Sequence, residues 1–566
     1  MPMVRGFLVL MLGVAVRDWS EEMALRSVRR ALVVAAGLAA LMSAPTVACA
    51  QLRPSEVLVV YDSRIPESAE VARIYAGSAK VPGGSTFEPG FRPGVRVLDI
   101  NNTTAPLNGP GDITFTDYVT RMRTPIRNHL TSTGLVRTIR CIVLCKGMPH
   151  RLRDSDVALV GDDAGAMVTE INASDVTCAS VDSELAVLWQ DLTTGEMGGA
   201  NDSLADGLIA NPYWRARLPI STFTTVNIQA AKTYTNSFPG PTREIGSATG
   251  AARLTAGDIY LVTRLDAPTV ADVRAMLTKA RGVVYDVDQH AILLDASGSN
   301  NVADAAPNTE LDNSGGPPFA AIYGGDDYER TRDQVLADGR FLPARVIYDQ
   351  FGGQFYVGPR VAYTGATNVL TQPVALLATF GANHGGTYPV GPGGSSASNT
   401  YADSFNYANG AIFNTVESYN GRAFGGLSAG GTNQEQASDF LAAGGTFALG
   451  MVWEPFAATI PDNEQLTANF LAGSMTWAEA AWSSIPCLSW MHIVLGDPLA
   501  QPWRTSEDQQ ANGVATIDDL AVWERRPSND PLKNINRTGV ADNTDRLLLL
   551  RSLRFGERGD LINRRP

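Results

Sequence analysis

Cysteine is scarce in this chain: five occur in 566 residues, and none lies between 179 and 486. A thiol chemistry located in the second half of the molecule would have to do without its nucleophile over that whole stretch. Basic residues are short as well. Beyond residue 50 there are 40 Lys/Arg against 55 Asp/Glu, a net charge of −15. Such a chain lacks the cationic footprint that binding to a phosphate backbone requires, so nucleic acid is not an expected partner. Long apolar runs are missing too, for after residue 50 none approaches the ~20 residues of a membrane span. What is present is ample apolar material, 44% of the chain, enough to fill the cores of more than one domain.

The first fifty residues read as two segments. GFLVLMLGVAV precedes Met23, which opens MALRSVRR, followed by ALVVAAGLAALM and SAPTVACAQ. A basic start, an apolar centre and small residues at Ala48 and Ala50 make a secretory signal with cleavage before Gln51, and Met23 is the expected initiator. A lipid anchor on Cys49 is disfavoured by Thr46 three positions earlier. The mature chain is expected to be soluble and exported, to periplasm, cell surface or medium. Export permits disulfides. Cys141 and Cys145 share one strand-like run, IRCIVLC, about 13 Å apart at ~3.3 Å per residue, too far to bridge each other. Either pairing with Cys178 or burial as free thiols fits.

From residue 55 strands alternate with helices. SEVLVVYDS, VRVLDI and TIRCIVLCKGMP read as strands, with helical spacing at 68–79 and 114–134 between them. IYLVTRL precedes a helix at 269–280; GVVYDV and AILLDAS precede one at 328–339; VALLATF, AIFNTV and FALGMVW follow. This alternation implies parallel βαβ units, arranged as two successive sheets or one long one, with loops at 188–256 and 386–410.

One strand ends in GANHGG, residues 381–386. Ligands of open parallel sheets sit at the carboxyl ends of the strands, so His384 stands where a base belongs, among glycines that let backbone approach closely. The alternative is a histidine bonded to a neighbouring loop carbonyl. Asp182 and Glu184 in CASVDSELAVLWQD fit a helix N-cap and first turn. Paired aspartates at 161–170 and 324–330 read as loop chemistry. Glu454, ahead of Pro455, and Asp497 in GDPL read as fold signatures before catalytic groups. Lys146, Arg151 and Arg153 follow a strand and fit a basic loop that neutralises nearby aspartates or holds an acidic group.

The segment DIYLVTRLDAPTVADVRAMLTKA resembles the strand–Arg–turn–helix segment of gingipain-type cysteine peptidases, and MHIVLGDPLAQPW resembles their closing Gly-Asp-Pro motif. Between these lie Asn-His-Gly at 383–385 and SDFLAAGGTFALGMVWEPF, in the same order over roughly 55–503. VLCKGMPHRL-, SVDSEL-, GMVWEP- and GDPL-like segments are similar to those of an exported bacterial family of unassigned activity. The resemblance implies an α/β, caspase/gingipain-like fold with parallel sheets in two subdomains, 55–280 and 281–503, the site lying in the second. It also implies that His384 is paired with a cysteine one strand further on. That strand carries Glu417, Ser418 and Tyr419 and no cysteine. Ser418 with His384 as full general base is one replacement, and Glu417 with His384 and a water is another. The remaining reading is a scaffold kept for binding a peptide or protein at the cleft.

The tail, 504–566, holds an internal repeat. DQQANGVATIDD aligns with NINRTGVADNTD: Gly513 and Gly539 take position six of a 12-residue loop, and Asp519 and Asp545 take position twelve. Each loop precedes an apolar helical run. The glycine allows the sharp turn of a calcium loop, and Asp508, Asn512, Asp519, Asn534, Asn536, Asp542 and Asp545 offer oxygen ligands for a weak Ca2+ site. The twin loops resemble a small all-α dockerin module, which implies a cohesin-like or cell-surface protein as partner. The metal-free alternative is a helical cap.

Overall fold

The computed structural model describes residues 51–101, 111–153, 179–190, 209–224, 227–235, 244–246, 251–281, 283–285, 289–295, 327–338, 341, 343–349, 356–363, 368–380, 401–424, 437–453, 459–471, 475–504, 509, 517–530, 533, 535 and 541–556. Its centre is one mixed sheet of ten strands. In chain order these are β1 (Val57–Tyr61), β2 (Arg96–Asp99), β3 (Cys141–Cys145), β4 (Leu261–Leu265), β5 (Ala291–Asp295), β6 (Val346–Asp349), β7 (Val374–Thr379), β8 (Tyr407–Phe413), β9 (Phe447–Met451) and β10 (His492–Leu495). Across the sheet they run β6-β5-β7-β8-β9-β10-β4-β3-β1-β2. Of the two arrangements left open by the alternation, the long sheet is the one formed.

Strands covered on both faces need apolar residues at every position, and β1, β3, β4, β5, β7 and β9 are buried throughout. Their covers are α1 (Pro66–Ala76), α2 (Thr124–Ser132), α3 (Val181–Ala186), α4 (Val270–Arg281), α5 (Asp327–Asp338), α6 (Ala437–Ala443), α7 (Asn463–Phe470) and α8 (Trp477–Ser484). α1 lies against β1 and α4, while α8 lies against β4, where Trp482 Nε1 donates to the Val262 carbonyl. The stretch around GVVYDV departs from expectation: Val284–Tyr285 pairs with Trp503–Arg504 rather than joining the ten strands.

Every neighbouring pair in the sheet is parallel except one. β9 and β10 run antiparallel, Ala448 opposite Leu495 and Met451 opposite His492, whereas β10 and β4 run parallel, Arg264 opposite Leu495. The two halves of the sheet therefore point in opposite directions, and their carboxyl ends lie on opposite edges. The edge carrying the ends of β7, β8 and β9 is also the edge where β10 begins.

The tail contributes α9 (Ile517–Arg525) and α10 (Asn543–Gly556), which pack around a small core of Trp523, Ile535 and Leu549 separate from the main one. Trp523 Nε1 donates to the Lys533 carbonyl at 2.7 Å, and the Lys533 ammonium lies over the indole, 4.6 Å from its centroid.

Candidate functional site

β7 and β8 leave the sheet side by side. An isolated parallel bridge joins Phe380 to Val416, so the last described residue after β7 lies beside the residue that precedes Glu417. His384 lies outside the described residues. Glu417 is buried and accepts a hydrogen bond from Thr415 Oγ1 at 2.9 Å, and Ser418 beside it is half-buried.

The turn that presents Ser418 is tightly held. Tyr419 N donates to the Trp453 carbonyl at 3.0 Å and Gly421 N to the Met451 carbonyl at 2.8 Å. Asn420 bonds the same strand through its side chain, Oδ1 accepting from Met451 N at 2.6 Å and Nδ2 donating to Thr415 Oγ1 at 3.1 Å. A Cβ on Gly421 would meet Ile493 Cδ1 at 2.7 Å and the Gly450 backbone at 3.1 Å, so a side chain there would have to displace Ile493 and crowd β9. Within this frame Tyr419 adopts φ 57°, the left-handed region that a bulky side chain occupies only under constraint.

Three further side chains converge on this turn. The Arg422 guanidinium lies over the Tyr419 ring at 5.1 Å and the Trp453 ring at 5.6 Å from their centroids. Arg151 lies over Trp453 at 5.2 Å and ion-pairs through Nε with Asp112 Oδ1. His150 Nε2 bonds the Arg422 carbonyl at 2.7 Å, and its ring meets Phe424 edge-on at 4.9 Å. Burial, with Arg264 and Arg151 nearby, pushes His150 well below the usual histidine range. It is therefore neutral, donates from Nε2 and holds the turn in place.

His150 and Arg151 owe their placement to a buried ion pair. Arg264 Nε donates to Asp182 Oδ2 at 2.7 Å, Nη1 donates to the Met148 carbonyl at 3.0 Å, and Nη2 donates to the Pro149 carbonyl. Both Arg264 and Asp182 are 0% exposed. Asp182 does sit in the first turn of α3, as its spacing suggests, but the cap is Ser180, whose Oγ accepts from Ser183 N at 2.9 Å. Burial raises the Asp182 carboxyl and Arg264 opposes the rise. Glu184 accepts from Ser489 Oγ.

The other residues singled out in the sequence sort by their contacts. Lys146 meets Asp266 at 3.3 Å and donates to the Ala267 carbonyl, so with Arg151 on Asp112 the basic loop neutralises aspartates. The Arg153 side chain and Glu454 lie outside the described residues. Asp497 accepts from Tyr75 Oη at 2.7 Å, from Arg92 Nε at 2.9 Å and Nη2 at 2.7 Å, and from Leu499 N at 3.1 Å, a structural junction. Cys141, Cys145 and Cys487 are free and buried, and burial pushes all three thiols up, away from thiolate character. Cys178 lies outside the described residues. His492 bonds the Thr459 carbonyl through Nε2 at 2.6 Å, and burial pushes it down to about 4.

In the tail, Asp508, Asn512, Asn534 and Asn536 lie outside the described residues. Asp519 and Asp545, the two position-twelve residues, occupy the third place of α9 and α10, and both are fully buried. Asp545 Oδ2 accepts from Asp542 N at 2.8 Å, and Asp542 Oδ1 accepts from Thr544 N at 2.7 Å.

His150, Arg264, Arg422 and Trp453 carry this region, and none of them is a candidate site residue on the sequence alone. The stretch CKGMPHRL holds His150 among basic residues, where nothing local marks the histidine as a contact for a distant turn. Comparison with family models, curated proteins and solved structures finds no match to this chain.

Proposed function

We propose that the chain is an exported binding protein on a caspase/gingipain-like scaffold, taking a peptide or protein ligand at the sheet edge around Ser418–Arg422 and docking through its tail. One observation carries this reading. Among the described residues, and Ser418 aside, the groups of the kind that hydrolysis would draw on are engaged in holding the fold: Glu417 by Thr415, His150 by the Arg422 carbonyl, His492 by the Thr459 carbonyl, and the three described cysteines by burial. The scaffold reading is supported by β5 to β10, in which five parallel strands are closed by one antiparallel strand. It is further supported by the neighbouring exits of β7 and β8.

A second reading, hydrolysis of peptide or isopeptide bonds by Ser418 with His384, is favoured by the strained Tyr419 next to Ser418 and by the Phe380–Val416 bridge. A fluorophosphonate probe on the full chain separates the two. The binding reading expects no covalent label. A label that disappears in both Ser418→Ala and His384→Ala establishes the hydrolase instead.

For the tail, the repeated buried aspartates at position twelve support a calcium-dependent docking module for a cohesin-like or surface protein. Carboxylates of that kind match a hard cation in donor chemistry, although one Asp545 oxygen is already engaged by Asp542 N. Calorimetric titration of Ca2+ into the full chain is expected to give binding heat that is lost in the Asp519→Ala/Asp545→Ala variant. No heat with the unaltered chain removes calcium from this reading.

A further inference from the structure

We infer that Arg422 is the anchor for a carboxylate of the bound peptide. The inference rests on the binding reading above and names the ligand group that the same edge selects.

Among the described residues, no carboxylate or carbonyl accepts a hydrogen bond from the Arg422 guanidinium. Its contacts are the faces of Tyr419 and Trp453. A guanidinium covered on its faces still presents its N–H donors around the rim, in one plane. The side chain is half-buried, so those donors face a partly dry edge, where leaving them unmet is costly. A planar acceptor with two oxygens meets such a fork in a bidentate way, which a carboxylate does.

The surroundings add selectivity. The turn is pinned through Asn420, Gly421 and the His150 bond to the Arg422 carbonyl, so the guanidinium is presented with little ordering left to do on binding. The neighbouring Arg151 is already neutralised by Asp112, which leaves Arg422, among the described residues, as the cation at this turn still open to a partner. The chain as a whole carries −13. A locally unmatched cation on an acidic protein draws acidic ligands to one point and repels them elsewhere.

The carboxylate could belong to an Asp or Glu side chain or to a peptide's carboxyl terminus, and one experiment distinguishes the two. Fluorescein-labelled random hexapeptide pools are titrated against the full chain by anisotropy, in three forms: acidic residues with an amidated end, no acidic residues with a free carboxylate, and no acidic residues with an amidated end. One of the first two pools is expected to bind more tightly than the third. Arg422→Gln is expected to weaken that pool roughly ten- to a hundredfold and to leave the third pool unchanged. Arg422→Lys restores only part of the loss because an ammonium lacks the fork. Melting of Arg422→Gln alongside the unaltered chain confirms that the turn is intact. Equal binding of all three pools, or binding that Arg422→Gln does not weaken, overturns the anchor while leaving peptide binding in place. No binding by any pool overturns both.

Discussion

Replacing Arg264 by methionine is expected to cost about 3–5 kcal/mol of folding stability, the range for breaking a buried pair by removing one partner. Arg264 and Asp182 are both sealed from solvent, and Asp182 Oδ1 has no hydrogen-bond partner among the described residues even in the intact pair. Without the guanidinium, the carboxylate stays buried and uncompensated, and the carbonyls of Met148 and Pro149 lose their donor. The double change Arg264→Met with Asp182→Leu should be less damaging than the single one, since it removes the stranded charge. Urea denaturation of the three variants against the unaltered chain reads this directly. A single variant within about 1 kcal/mol of the parent would mean that the pair is not the junction described here. Because Met148 and Pro149 lead into His150, Arg264→Met should also loosen the Arg422 turn.

Asp497→Ala is the second large effect, again about 3–5 kcal/mol. Its carboxylate is 1% exposed and gathers Tyr75 from α1, both bonds from Arg92, and its own turn at Leu499. Removing it takes away the ion pair that Asp497 makes with Arg92 and the acceptor of the Tyr75 hydroxyl. Asp497→Asn keeps an acceptor for Tyr75 and loses the charge, so it should cost clearly less. If both substitutions melt with the parent in a thermal scan, the GDPL segment is a turn and nothing more.

How much of this was legible in the sequence depended on how local each signal was. VLVVY, CIVLC and AILLD announce strands covered on both faces because no polar residue interrupts them. The helix spacing at 269–280 likewise leads to α4. The direction of a strand has no such mark, and nothing in HIVL says that it runs against FALGM on one side and along LVTRL on the other. Pairings between distant residues were equally invisible. Arg264 stands in TRLDAP and Asp182 in SVDSEL, yet only the fold brings the two together across the chain. Asp182 therefore looked like a helix cap. The Tyr419 backbone, the Gly421 contact and the stacked Arg422 depend on neighbours from β9 and β10 and leave no local trace.

Among the described residues, β10 is the strand that joins the two halves of the sheet, and it follows the other nine in the chain. As the polypeptide emerges amino end first, β1 to β4 can assemble, and then β5 to β9, each within its own half. Until residue 495 follows, both β4 and β9 present an open edge, and open edges template wrong pairing with other chains. A ten-stranded sheet closed from its middle by the strand that comes last of the ten is therefore most exposed to aggregation before that strand is in place. A chain cut short of His492 should persist as two unjoined half-sheets that need a holding chaperone.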